Sequence, residues 1–372
     1  MHLHDAIWIH AASIGETVIA ENLMRSMKHH LQTQQFIITT NTYYARDMLW
    51  RKFKNSVPVY SLPFDLLWSI KKFINGSHFK ALILVETELW PNLIWQAKSH
   101  HIPVIIVNGR ISDKTLHTYQ TISCFMKSVF SNIDLILAQS DDHAMRFISL
   151  GMNPERIKSI GNLKYFREIE YDKPLRKNNF ITFGSIREKE IDQIFSVIKN
   201  LKQTCTDVSY FIAPRELHII NTIEKLFSSH FTTIRYSARR QQHEDEGDIV
   251  IVDTVGDLLD IYRYSKIAFV GGSLAPYGGQ NILEPLFFGT PVIFGPYVEN
   301  FKDIAETIIQ NKAGIMVHNS DELFEQIQTL LNNDTMREQM GKEGLAIIKH
   351  QSEVMKTAVE HIMELLARSP AS

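Results

Sequence analysis

Residues 267–280, IAFVGGSLAPYGGQ, lead into Asn281-Ile282-Leu283-Glu284-Pro285 and hold the most specific chemistry in the chain. Gly271, Gly272, Gly278 and Gly279 let a backbone turn sharply and approach a ligand closely. Asn281 is placed to cap a following helix, whose first-turn amides and dipole favour a phosphate. Glu284 lies three residues on, on the same face, where a carboxylate can accept hydrogen bonds from two ribose hydroxyls. Pro285 falls early in that helix, where its missing N–H costs least. A glycine-rich connection can also serve tight packing alone. Four glycines, Asn and Glu in this order at a strand-to-helix junction point instead to a nucleotide.

Other candidates also follow apolar runs. Pro214-Arg215 closes the run SYFIA, and a guanidinium at a strand end can grip a phosphate. Val255, Gly256 and Asp257 follow the run at 249–253 and offer contacts to a base, or simply start a helix. In the first half, Ala12-Ser13-Ile14-Gly15-Glu16 puts Glu16 in the first turn of a helix. A carboxylate there can take a proton from an attacking hydroxyl, although glutamate is also favoured at helix starts for electrostatic reasons alone. Glu86 and Glu88 in VETELWPN end a buried strand, where two carboxylates are costly unless paired or used. Arg110, in Asn108-Gly109-Arg110, can hold an anion. Lys164, in Gly161-Asn162-Leu163-Lys164, can neutralise a phosphate or carboxylate. His10 reads as a satisfied core histidine.

These residues need a scaffold that puts strand ends together. Short Ile/Val-rich runs alternate with amphipathic segments along the whole chain, as in parallel sheets buried on both faces. The runs fall at 8–13, 36–41, 57–62, 81–86, 104–108 and 135–140. They resume at 180–185, 209–213, 233–236, 249–253, 267–271 and 292–295. The fold class is therefore α/β: two Rossmann-like doubly wound domains facing across a cleft. The expected organisation is a domain over 1–166, a polar linker over 167–179, a second domain over 180–350 and a C-terminal helix over 351–372 that crosses back to the first domain. Residues 238–247, ARRQQHEDEG, read as an exposed loop, and helices are expected over 320–341 and 353–367.

Composition narrows the function. The 372 residues are 44% hydrophobic and 22% charged with a net charge of −2, which is unlike a general nucleic-acid binder. Residues 1–160 carry 16 Lys and Arg against 12 Asp and Glu, and the remainder carries 23 against 29. The leading half thus suits an anionic partner. Cys124 and Cys205 lie in separate helical patterns, without disulfide or zinc spacing. No cofactor is expected. With no Asp-x-Asp pair, phosphate charge would fall to Arg215, Lys164 and helix N-termini without a metal. Residues 43–54 and 66–73 combine Trp and Phe with clustered Lys and Arg at helical spacing, which suits either docking on an anionic membrane or packing on the sheet.

In sequence order, WIHAASIGE, YSLPFD, ETELWPNLI, VNGRIS, AQSDDHAMRFISLG, GNLKY, PR, DTVGDL, AFVGGSL, GGQNILEP and GPYVENFKD resemble the 3-deoxy-D-manno-octulosonic acid (Kdo) transferases of lipopolysaccharide assembly. That resemblance implies a GT-B fold and an inverting transfer of Kdo from CMP-Kdo to a lipid A precursor at the cytoplasmic face of a bacterial inner membrane. It also implies Glu16 as general base, with Glu86 or Glu88 and Lys164 assisting the transition state. CMP contacts then fall on Pro214, Arg215, Val255, Gly256, Asp257, Asn281, Ile282, Leu283 and Glu284. The chain departs from the family pattern in starting at the first strand without a membrane anchor. Arg187, Glu216 and Gln280 stand where histidines are usual. The alternatives are a GT-B transferase or epimerase using another nucleotide sugar, and a silent homologue that binds lipid or a partner.

Overall fold

The computed structural model describes residues 5–54, 56–168, 177–204, 207–238 and 248–368. The core of the expected linker, 169–176, most of the expected loop, 239–247, and Cys205 lie outside the described residues. Contacts divide the chain into two units, Met1–Glu168 with His350–Ser372, and Ile169–Lys349.

The first unit holds β1 (Ala6–His10), β2 (Phe36–Thr40), β3 (Val59–Ser61), β4 (Phe79–Val85), β5 (Val104–Gly109), β6 (Leu135–Ala138) and β7 (Ile157–Ser159). They form one sheet in the order β3-β2-β1-β4-β5-β6-β7, with every pair parallel. The run AIWIH is buried throughout because helices cover both faces of the sheet. Ile7 and Ile9 enter one core, while Ala6 and Trp8 enter the other. Trp8 Nε1 donates to Thr39 Oγ1 at 2.8 Å, so the indole is buried without stranding its donor. His10 is only half satisfied. Its Nδ1 lies 3.0 Å from Thr39 Oγ1, whereas its buried Nε2 has no partner, and burial lowers its pKa to about 4.

The second unit holds β8 (Phe180–Ile186), β9 (Ser209–Pro214), β10 (Thr233–Arg235), β11 (Ile249–Ile251), β12 (Ile267–Val270), β13 (Val292–Phe294) and β14 (Gly314–Met316). Its parallel sheet runs β10-β11-β9-β8-β12-β13-β14. In each sheet the first strand of the unit lies between its successor and a later strand, β1 between β2 and β4, β8 between β9 and β12. That reversal of strand order is where an open parallel sheet leaves a crevice at its carboxyl edge.

The edge strands β7 and β14 have three residues each and went without an expectation. Helices cover Ser320–Asn332 and, without a break, Asp334–Arg368. The expected stop at Gly341 is absent because that glycine serves close packing. A Cβ on Gly341 would lie 2.3 Å from Gly289 O, and one on Gly344 would lie 2.9 Å from Leu286 Cδ2. Farther along the same helix, Val354, Met355, Ala358, Val359, Ile362 and Leu366 complete the core of the first unit.

Candidate active site and donor pocket

In the first unit the crevice lies between the ends of β1 and β4. Ser13 caps the helix Ile14–His30, its Oγ accepting the Glu16 amide at 3.4 Å. Glu16 folds back over the cap. One carboxylate oxygen accepts the Ala12 N–H at 2.8 Å and the other accepts the Ser13 hydroxyl at 2.6 Å. The side chain is fixed and only 8% exposed. Burial raises its pKa, and the neighbouring Glu86 carboxylate adds to the shift.

Glu86 leaves β4 in a left-handed conformation, φ 58°, and pairs with Arg110 at 3.1 Å. Arg110 thus meets an internal carboxylate, with its side chain still 59% exposed. Glu88 accepts the Trp90 indole N–H at 3.0 Å. Burial raises the Glu88 pKa too, followed by the charges of Glu16 and Glu86. The sheet thus brings together three interacting carboxylates with one ion pair among them. Burial and the neighbouring carboxylates favour the protonated forms of Glu16 and Glu88, which makes each a better proton acceptor than a free carboxylate.

Lys164 sits in a short turn, Leu163–Tyr165, that packs against the helix bearing Glu16. Asn108 fixes that turn. It is fully buried with φ 56°, and its Oδ1 accepts the Leu163 amide at 2.9 Å. Sequence reasoning named Asn108 only as part of Asn-Gly-Arg and missed this positioning role.

In the second unit the glycine-rich segment departs from expectation. Residues 281–289 form turns and a three-residue 3-10 helix, Leu286–Phe288, with no α-helix for Asn281 to cap. Pro285 supplies no amide, and Gly289 ends the segment in a left-handed conformation at φ 61°. Asn281 Oδ1 instead accepts the Leu283 amide at 3.2 Å, and Asn281 Nδ2 lies 3.4 Å from Glu284 Oε1. Ile282 and Leu283 are buried. A helix dipole cannot be counted on for a phosphate at this point.

The amides after β12 are also occupied. Glu190 is fully buried, and its carboxylate accepts the N–H groups of Arg187, Gly272, Ser273 and Leu274 at 2.7–2.9 Å. Gly278 and Gly279 have φ of 82° and 80°. A Cβ on them would press on Asn300 Nδ2 and on the backbone of Tyr297 and Val298. These glycines shape the segment by tight packing within their own unit. Glu190 went unread because it lies in the charged run REKE. The three-residue spacing to Arg187, that of a capping box, was its one signal.

The remaining candidates line the carboxyl edge of this sheet. Pro214 ends β9, and the exposed Arg215 follows with its amide bonded to Ile186 O at 2.9 Å. Val255 is 83% exposed, and beside it Gly256, at φ 99°, has open space where a Cβ would be. The exposed Val255 side chain and the open space at Gly256 leave room for a ring to approach. Asp257 starts the helix Leu258–Tyr264.

The two basic, aromatic stretches of the first unit both pack and protrude. The helices Tyr43–Phe53 and Leu67–Ile74 bury Ala45, Leu49, Phe53, Ile70 and Ile74. Tyr44, Trp50, Leu67 and Trp68 nevertheless stay exposed, as does Phe64 just ahead of the second stretch, at 85%. Packing on the sheet does not use them. Among the described residues no helix is long and apolar enough to cross a membrane.

A family model described as 3-deoxy-D-manno-octulosonic-acid transferase matches residues 2–167, and one described as glycosyl transferases group 1 matches residues 167–346. A 3-deoxy-D-manno-octulosonic acid transferase of Haemophilus influenzae is 32% identical, over 97% of this chain and 86% of that protein. A bifunctional glycosyltransferase/methyltransferase of Fusobacterium nucleatum is also 32% identical over 97% of this chain, but the chain spans only 59% of that relative. Among solved structures, a UDP-GlcNAc 2-epimerase from Neisseria meningitidis superposes with a TM-score of 0.61, covering 95% of this chain and 100% of the epimerase. At 11% identity that likeness shows a shared GT-B-type fold and nothing of the reaction.

Proposed function

Since this chain belongs to the Kdo transferase family of glycosyltransferases, we propose that it moves Kdo from CMP-Kdo to a hydroxyl of a lipid A precursor, with Glu16 as general base. The observation that carries the base assignment is the buried Glu16 carboxylate, held by Ala12 and Ser13 with its pKa raised. As the acceptor oxygen attacks the anomeric carbon, its proton passes to Glu16. The bond from that carbon to the phosphate oxygen breaks, and CMP leaves with the electron pair. Attack opposite the leaving group inverts the anomeric centre. Arg215 is expected to offset the charge growing on the departing phosphate, and Lys164 to assist the transition state. Glu86 and Glu88 keep the local field negative, which disfavours early loss of base strength in Glu16.

The donor is expected to rest on Val255, Gly256 and Asp257 through its base, on Pro214 and Arg215 through its phosphate, and on residues 281–284 through its ribose. Incubating the purified chain with CMP-Kdo and lipid A precursor, then weighing the lipid by mass spectrometry, tests this reading. The expected result is an acceptor heavier by at least one Kdo, unchanged when EDTA is present. No gain from CMP-Kdo alongside transfer from a UDP- or GDP-sugar would contradict it.

The same reading gives the exposed aromatic residues a use, because a lipid A precursor is amphiphilic and has to be met at a bilayer surface. Peripheral contact with an anionic membrane, at the inner face of a bacterial inner membrane, is proposed through Phe64, Trp68 and the neighbouring Lys71 and Lys72. Replacing Phe64 and Trp68 together by Ser is expected to lower binding to anionic vesicles about tenfold or more, given roughly 1.5–3 kcal/mol for each large apolar side chain. Transfer to a detergent-dispersed acceptor should persist. Equal vesicle co-sedimentation of the double variant and the parent would refute this contact.

A further inference from the structure

Arg187 and Glu216 follow β8 and β9, adjacent strands of the second sheet. Arg187 Nη1 lies 3.0 Å from Glu216 Oε1. The guanidinium carbon sits 4.5 Å from the centre of the Tyr277 ring, so the cation rests on an aromatic platform. Its Nε is shielded from solvent and makes no hydrogen bond. The root of Arg187 is fixed as well, because its amide is held by Glu190, the carboxylate that also holds Gly272. Glu216 is the looser partner, with a side chain 40% exposed against 23% for Arg187. A Cβ on Gly272 would lie 3.1 Å from Gln280 Cγ and 3.6 Å from Arg187 Cγ. Arg187, Glu216 and Gln280, which depart separately from the family pattern in sequence, therefore surround one spot.

We propose that Glu216 is a built-in stand-in for an oxyanion of the donor, and that Arg187 takes that oxyanion when Glu216 swings out. This rests on the reading of the chain as a nucleotide-sugar transferase. A guanidinium fork suits phosphate and carboxylate alike, with two parallel N–H groups facing two oxygens. An arginine anchored at its root and backed by an aromatic ring is preorganised for such a ligand. Its present partner is the more exposed of the two side chains and can rotate away. CMP-Kdo carries both a phosphate and a sugar carboxylate, so either group can make the exchange. In both cases the ligand has to outcompete an internal carboxylate, and donor affinity is set below what Arg187 alone would give.

The consequence has an unusual sign. Glu216→Gln is expected to bind the donor more tightly, whereas local damage would weaken it. Calorimetric titration of the full chain with CMP and cytidine, together with the KM for CMP-Kdo, measures this. Glu216→Gln should raise CMP affinity about fivefold, or lower the KM for CMP-Kdo by a similar factor, and leave cytidine binding unchanged. A gain seen with CMP assigns the phosphate, and one confined to CMP-Kdo assigns the sugar carboxylate. Arg187→Gln should lower affinity for the same ligand about tenfold and cancel the gain in the double variant. Glu216→Gln that leaves both ligands unchanged, tightens cytidine equally, or still gains without Arg187 would overturn the proposal. UMP and GMP run alongside separate it from the donor reading. Preference for one of them with the gain intact rejects cytidine and retains the exchange, whereas CMP preference without the gain does the reverse.

Discussion

Glu16→Gln is expected to lower the transfer rate about 10²–10⁴-fold, the usual yield of a positioned general base, while leaving CMP affinity within a factor of two. The amide keeps the shape of the carboxylate but cannot take the proton. Stability should move the other way. Burial raises the Glu16 pKa, so the folded state prefers the protonated acid. In its ionised form the group opposes folding, and that opposition is relieved as pH falls through the raised value. A neutral side chain removes it, and the Tm of Glu16→Gln should equal or exceed that of the parent. The same shift places the acid limb of the pH profile: kcat/KM should decline as pH drops through the raised Glu16 pKa. Steady-state rates, calorimetry with CMP and a thermal melt are sufficient. Retained turnover in Glu16→Gln would remove the residue from the mechanism.

The second large effect is expected at Glu190, which touches neither proposed substrate. Its carboxylate accepts four backbone N–H groups from residues 187, 272, 273 and 274. Glu190→Ala strands those donors in a buried place, at a cost of about 3–5 kcal/mol. Urea unfolding should show that loss, and the KM for CMP-Kdo should rise more than kcat falls, because the donor-side loop is released and the base in the other unit is untouched. Glu190→Gln, which keeps the volume but turns an NH₂ toward backbone amides, should fall between. If Glu190→Ala unfolds at the parental urea midpoint and binds CMP normally, the loop is held by something else.

What could be read in the sequence, and what could not, follows from the range of each interaction. Runs such as AIWIH and FKALILV were legible because both faces of a parallel sheet are covered, which leaves no polar alternation to confuse them. The edge strand IKS has one buried residue in three and carries no such pattern. Glu16, Glu86 and Glu88 could be placed at strand ends one by one. Their mutual influence depends on β1 lying beside β4, which strand order decides and local periodicity does not. The helix expected after Asn281 was undone locally, by Pro285, Gly289 and an Asn side chain that turns onto Leu283. The positioning roles of Glu190 and Asn108 were hard to read for another reason. Each is a polar residue buried where backbone amides remote in sequence need an acceptor, residues 272–274 for Glu190 and Leu163 for Asn108.

One further consequence lies in the helix Asp334–Arg368, whose last turns carry six side chains of the first unit's core. Translation is vectorial, and domains ordinarily fold in the order in which they leave the ribosome. Here Ile169–Lys349 is contiguous and can close first, while the leading 168 residues wait for the tail to emerge before their apolar interior is sealed. The segment made earliest is thus finished last, and a chaperone holding nascent chains would find its longest-lived client surface on the half that carries Glu16.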